Sequence, residues 1–134
     1  MATGGDKRDA GREGETERSE VVALVADLIF AARVRAAAAA AGVAARTTSR
    51  ASELPVLAGA AEVRLVLVDL DVRGADPVAV IRALRAQERS TPLRVVAYGS
   101  HVRTDLLGAA REAGADAVMP RSAFVRELPA LLRG

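Results

Sequence analysis

Residues 63–69, Val-Arg-Leu-Val-Leu-Val-Asp, followed by Leu70-Asp71-Val72-Arg73-Gly74, decide how the fold is read. An apolar run rich in Val and Leu, closed by a glycine turn, predicts a central parallel strand buried on both faces. A carboxylate at the carboxyl end of such a strand stands in the crevice where open α/β sheets bind ligands. Asp69 is therefore the first candidate functional residue.

Working outward, the apolar run at 21–26 predicts a second buried strand, ending at Asp27. The stretch 29–41 has high helix propensity and is closed by Gly42, and 43–47 reads as a further strand. Ser49 and Ser52 are each able to cap a short helix carrying Leu54, Val56 and Leu57, with Pro55 in its first turn and its end near Gly59. Beyond the decisive strand, Asp76-Pro77 supplies an N-cap and a proline at the first helical position, the clearest helix start in the chain. A strand over 93–98 follows, then a helix over 105–113 capped by Thr104 and closed by Gly114. A brief strand over 117–119 precedes a helical stretch over 124–132, whose start Pro129 restricts to about Arg126. Five repeats of strand then helix imply right-handed crossovers, a parallel sheet and helices on both faces. The expected fold is α/β, a flavodoxin-like (βα)5 three-layer sandwich with sheet order 2-1-3-4-5, whose switch point brings Asp27 and Asp69 together.

The 134 residues suffice for one domain with a single core, and half of them are apolar. Residues 1–20 hold glycine, charges of both signs and hardly any large apolar side chain, so they are read as a disordered tail and 21–134 as the domain. The absence of cysteine removes thiolate chemistry and disulfides, and a cytoplasmic protein is the default. The net charge of +2 is carried by arginines, Lys7 being the only lysine. They are spread along the chain without a dense basic run, which argues against DNA binding. No stretch approaches the roughly 18 apolar residues of a membrane span.

With strand order and spacing in place, residues 21–134 resemble the receiver domain of bacterial two-component response regulators. The segment VLVDLDVRGADPVAVIRALRAQERSTPLRVVAYG resembles the family's third strand through fourth strand, and EAGADAVMPRSAF its segment around the fifth. The resemblance implies that Asp69 is the phosphoacceptor. It also implies two acids after strand one for Mg²⁺, a Ser or Thr after strand four, and a Lys after strand five. A hard dication needs oxygen ligands, and a transferring phosphoryl group needs positive charge and donors.

This chain departs from that pattern. Ala26-Asp27 stands for the acid pair, leaving Asp27 and Asp69 as a weak Mg²⁺ site. Val96 takes the hydroxyl position in the simplest register, with Ser100 four residues on. Arg121-Ser122 replaces the lysine and the proline that usually follows it, a wide guanidinium fork in place of a compact ammonium. Val118 replaces the aromatic that often toggles on the fifth strand. The resulting expectation is a stand-alone pseudo-receiver, not an enzyme, acting by protein contact without an output domain or a resident cofactor, with a homodimer as one option.

A functional response regulator phosphorylated at Asp69 by a histidine kinase with Mg²⁺ is the first alternative. A small-molecule or nucleotide binder is the second, opposed by the lack of a phosphate-binding glycine loop. Each residue also has a plainer reading. Asp69 pairs with Arg121 or loop amides, Asp27 caps the first helix, Asp71 is a turn residue, and His101 lies at the surface. Asp71, Ser100 and Arg121 are placed at the pocket periphery. By the resemblance, an interaction surface lies on the fourth helix, fifth strand and fifth helix, with Tyr98, Arg103 and Arg111 as its candidates. Arg82, Arg85 and Arg89 are expected to form a solvated face.

Overall fold

A computed structural model describes residues 19–134. Its elements are β1 (Val21–Leu24), α1 (Leu28–Ala41), β2 (Ala45–Thr48), a 3-10 turn (Ala51–Glu53), α2 (Leu54–Ala58), β3 (Leu65–Asp69), α3 (Pro77–Ala86), β4 (Arg94–Gly99), α4 (Thr104–Ala113), β5 (Ala117–Pro120) and α5 (Arg121–Arg133). The five strands are parallel and ordered β2-β1-β3-β4-β5, as the sequence predicts. The expected tail lies outside the described residues except for Ser19 and Glu20, and these two already belong to the fold. Ser19 is buried, and the Glu20 amide donates to the Ala44 carbonyl at 2.9 Å.

Side chains alternate across the sheet, and the two faces differ in character. Val22, Leu24, Val66, Val68, Val95 and Ala97 face α2, α3 and α4 through Leu54, Ile81, Leu84 and Ala110. Val21, Ala23, Leu65, Leu67, Val96 and Tyr98 face α1 and α5 through Phe30, Val34, Phe124 and Leu128. The chain's two Phe and its single Tyr all lie on this second face. Each fully buried Leu, Val or Phe contributes about 1.5–3 kcal/mol, so the central strands hold the fold together.

Helix starts follow the sequence where a carboxylate precedes them. Asp27 accepts from the Ile29 and Phe30 amides at 2.8 and 3.2 Å, and Asp76 from Ala79 at 3.1 Å. Elsewhere they depart from it. Neither Ser49 nor Ser52 caps α2; Thr48 instead donates to Glu53 at 2.6 Å and accepts from the Arg50 amide at 3.1 Å. Thr104 is the first helical residue of α4 and not its cap. α5 begins at Arg121, five residues before the expected start, with Pro129 inside it. Pro129 lies on the exposed side, where water can take the carbonyl that the missing N–H leaves free.

Arg85 and Arg89 do not form a solvated face. Arg85 donates to the Gly114 and Leu93 carbonyls, each at 2.7 Å, and to the Asp116 carboxylate. Arg89 donates to the carbonyls of Ala58, of Val63 at 2.6 Å and of Thr91 at 3.1 Å. Both fasten the amino ends of the strands. Gly114 makes room for this: with φ at 118°, a Cβ there would stand 2.7 Å from the Arg85 Cγ.

Candidate functional site

Asp69 ends β3 and is 2% exposed. Its register partner on β4 is Tyr98, and β1 ends on the other side of β3, with Leu24 opposite Val68. One carboxylate oxygen, Oδ1, accepts from the Asp71 amide at 2.9 Å. The other, Oδ2, faces a guanidinium nitrogen of Arg121 at 3.6 Å. Burial pushes the Asp69 carboxyl above its usual value, against the opposing pull of the Asp71 amide and the Arg121 charge.

Arg121 is the first residue of α5, and its position is fixed from below by aromatic rings. Its guanidinium carbon stands 4.7 Å from the centre of the Phe30 ring and 5.5 Å from that of Tyr98. Tyr98 in turn stacks on Phe124 with centroids 4.0 Å apart, and Phe30 closes the cluster at 5.5 Å from Tyr98 and 5.9 Å from Phe124. A planar, weakly hydrated guanidinium suits such a seat better than a compact, strongly hydrated ammonium. Phe30 and Phe124 were not among the predicted site residues. The available signal was that the only three aromatics of the chain each lie within a few residues of a strand's carboxyl end.

Tyr98, expected on an interaction surface, is fully buried in this cluster. The reason is the alternation of β4, which turns it to the α1 and α5 face beside Asp69. Its hydroxyl has no hydrogen-bond partner among the described residues, and burial together with the nearby Asp69 raises its pKa far above that of free tyrosine. Arg103 and Arg111 are exposed on and before α4, as expected.

The register also moves the position after strand four. Val96 pairs with Leu67, two residues below Asp69, so it is not at the carboxyl end. That end is Gly99, where a Cβ would stand 3.2 Å from the Leu70 Cβ and 3.7 Å from the Asp71 carboxylate oxygens. The place is thus without a hydroxyl and also crowded for one. Ser100 follows and accepts weakly from the Val102 amide at 3.4 Å. The three residues expected at the periphery, Asp71, Ser100 and Arg121, do come together, lining a cavity of about 440 Å³ with His101 and Ser122.

A divalent ion does not fit these residues as they stand. The Asp27 Oδ1 is committed to two helix amides, Ala26 brings no carboxylate, and Arg121 already neutralises Asp69. Among the described residues, no group of three or more His, Asp or Glu side chains is placed to hold a metal.

No protein-family model and no curated protein matches the chain. Solved structures do. The receiver domain of the TMAO respiratory system response regulator TorR superposes with a TM-score of 0.72 at 19% identity, over 84% of this chain and 91% of that one. A response regulator from Burkholderia pseudomallei, with a phosphorylated aspartic acid, calcium ion and citrate, gives 0.72 at 21% identity, over 85% of this chain and 66% of that one. The receiver domain of the response regulator NarL from Mycobacterium tuberculosis gives 0.68 at 21% identity, over 82% and 89%. The fold of this chain is the response regulator receiver (CheY-like) fold.

Proposed function

We propose that the chain is a pseudo-receiver, a signalling domain that acts through protein contact and accepts phosphoryl groups poorly at Asp69. The observation that carries this reading is Arg121 seated on the Asp69 carboxylate and held there by the Phe30 and Tyr98 rings. A phosphoryl donor would have to displace an internal counter-ion. It would then lack the second acid at Ala26 and the hydroxyl at Gly99 that the resemblance calls for. Contact is supported by the apolar side chains left at the same end of the sheet. Leu28 and Ile29, just after β1, are 81% and 80% exposed, and Val102, just after β4, is 70% exposed. Isolated apolar residues are ordinary on a surface, but three around one end are the raw material of an interface. Arg103 and Arg111 belong to the contact surface in this reading, the partner is a signalling protein, and a homodimer is one form it takes.

The competing reading is phosphorylation at Asp69 by a histidine kinase with Mg²⁺ at Asp27 and Asp69. It draws on the place of Asp69 at the strand end and on the phosphorylated aspartic acid of the Burkholderia pseudomallei protein. Incubation with a small phosphodonor and Mg²⁺, followed by intact mass, separates the two. The pseudo-receiver reading predicts no adduct. An adduct that Asp69→Asn abolishes would establish the competing one.

A further inference from the structure

Asp71 stands between two hollows. One is the cavity beside Arg121; the other, of about 540 Å³, opens between the β3–α3 loop and the start of α4. The lining of this second hollow is apolar where it is deepest: Leu70 and Val72 are buried, and Leu106 is half-buried. It also carries both charges in equal number, Arg73 and Arg103 against Asp71 and Asp76. None of these four side chains forms an ion pair among the described residues. Asp76 caps α3 by accepting from the Ala79 amide through Oδ1, and its Oδ2 is uncommitted among the described residues.

A knob lies beside the hollow. Val102, the residue before Arg103, is exposed on the turn that enters α4. An exposed branched side chain is half of an apolar contact, and a hollow with an apolar lining is the other half. A surface that carries both is complementary to itself. Across a two-fold axis each copy lends its knob to the other's hollow, and the arginines of each meet the aspartates of the other. Apolar groups at the centre and charges around them are the anatomy of a protein interface.

We propose that the chain forms a two-fold homodimer through this patch, with Val102 of each copy seated in the hollow of the other. The inference rests on the chain acting by contact and names a second copy as the partner. Charge favours this occupant over another. A wholly acidic or wholly basic partner would satisfy one pair of side chains and face the other with like charge, whereas a second copy offers an opposite charge to all four. A patch built around one hollow is at the low end of interface sizes, so the dimer is weak and forms at high protein concentration.

Sedimentation equilibrium of the full chain over about 10 μM to 1 mM covers that range. A monomer–dimer equilibrium is expected, weakened by added salt as the charges are screened. Val102→Ser should weaken it as well. Arg73→Glu with Arg103→Glu makes the patch acidic, and Asp71→Asn with Asp76→Asn makes it basic while asparagine keeps the α3 cap. Each double variant alone should dimerise at least about tenfold more weakly, and an equimolar mixture of the two should recover the dimer. Recovery also shows that both variants are folded. A chain that stays monomeric over the whole range would overturn the proposal. So would a dimer that both double variants leave intact, or a mixture that recovers nothing. None of these outcomes bears on whether Asp69 takes a phosphoryl group, so the pseudo-receiver reading stands or falls separately on the phosphodonor experiment.

Discussion

The two ends of the parallel sheet are built on opposite principles. At the amino ends, Arg64, Arg85 and Arg89 spend their donors on backbone carbonyls from distant parts of the chain. Arg64 reaches the Leu132 carbonyl at 2.7 Å and the Glu20 carboxylate at 3.1 Å, and the other two arginines bind five carbonyls between them. At the carboxyl ends, Arg121 meets a buried carboxylate at 3.6 Å and two aromatic rings, and the Tyr98 hydroxyl has no hydrogen-bond partner among the described residues. One end gathers its backbone carbonyls onto charged donors and holds the fold, with the buried Gln87 Oε1 as its exception among the described residues. The other leaves its polar groups strained for partners, and it is the end where α/β sheets place function. In this chain that end keeps the acid but seals it with an arginine.

The difference can be broken from either side. The largest effect is expected at the amino end. Arg89→Met should lower stability by about 2–3 kcal/mol, because it leaves three carbonyls without their charged donor. Urea denaturation reads this as a fall in midpoint at unchanged slope.

At the carboxyl end substitutions should stabilise. The raised pKa of Asp69 means that the folded chain holds its proton more tightly than the unfolded chain does. Stability therefore falls as pH rises from the ordinary carboxylate value through the raised one. Asp69→Asn should be more stable than the native sequence at neutral pH, and the gap should close on acidification below about pH 4. A gap independent of pH would show that Asp69 carries no burial penalty. The smallest effect is expected for Tyr98→Phe. Deleting a buried hydroxyl that has no partner should raise stability by up to about 1 kcal/mol in thermal denaturation, and a loss would reveal a bond the site depends on.

The same contrast governs how much was legible in the sequence. Strands buried on both faces read directly as Val and Leu runs, which is why the order of elements and the sheet topology follow from the sequence. The Asp27 and Asp76 caps were legible because a carboxylate next to a helix start has a local partner. Arg85 and Arg89 were not, since the carbonyls they bind belong to other segments of the chain and helical spacing alone makes such residues look solvated. Pro129 misled for a related reason: an exposed turn tolerates the missing hydrogen bond. At the site, Asp69 and Arg121 were legible as a pair, whereas the position after β4 depended on register. Placing it at Val96 instead of Gly99 is a slip of three residues that only the pairing of Tyr98 with Asp69 corrects. The aromatic seat under Arg121 joins residues from three elements, and its one signal in the sequence is that each aromatic lies near a strand's carboxyl end.

In the proposed pseudo-receiver, the ion pair of Arg121 with Asp69 stands in the way of phosphotransfer. Amide NMR of the chain titrated with beryllofluoride and Mg²⁺ tests this most directly, because the complex mimics a phosphoryl group on a carboxylate without needing turnover. No saturable shift is expected at Asp69, Asp71 or Gly99 and their neighbours. A saturable shift centred on Asp69 that Asp69→Asn abolishes would contradict it.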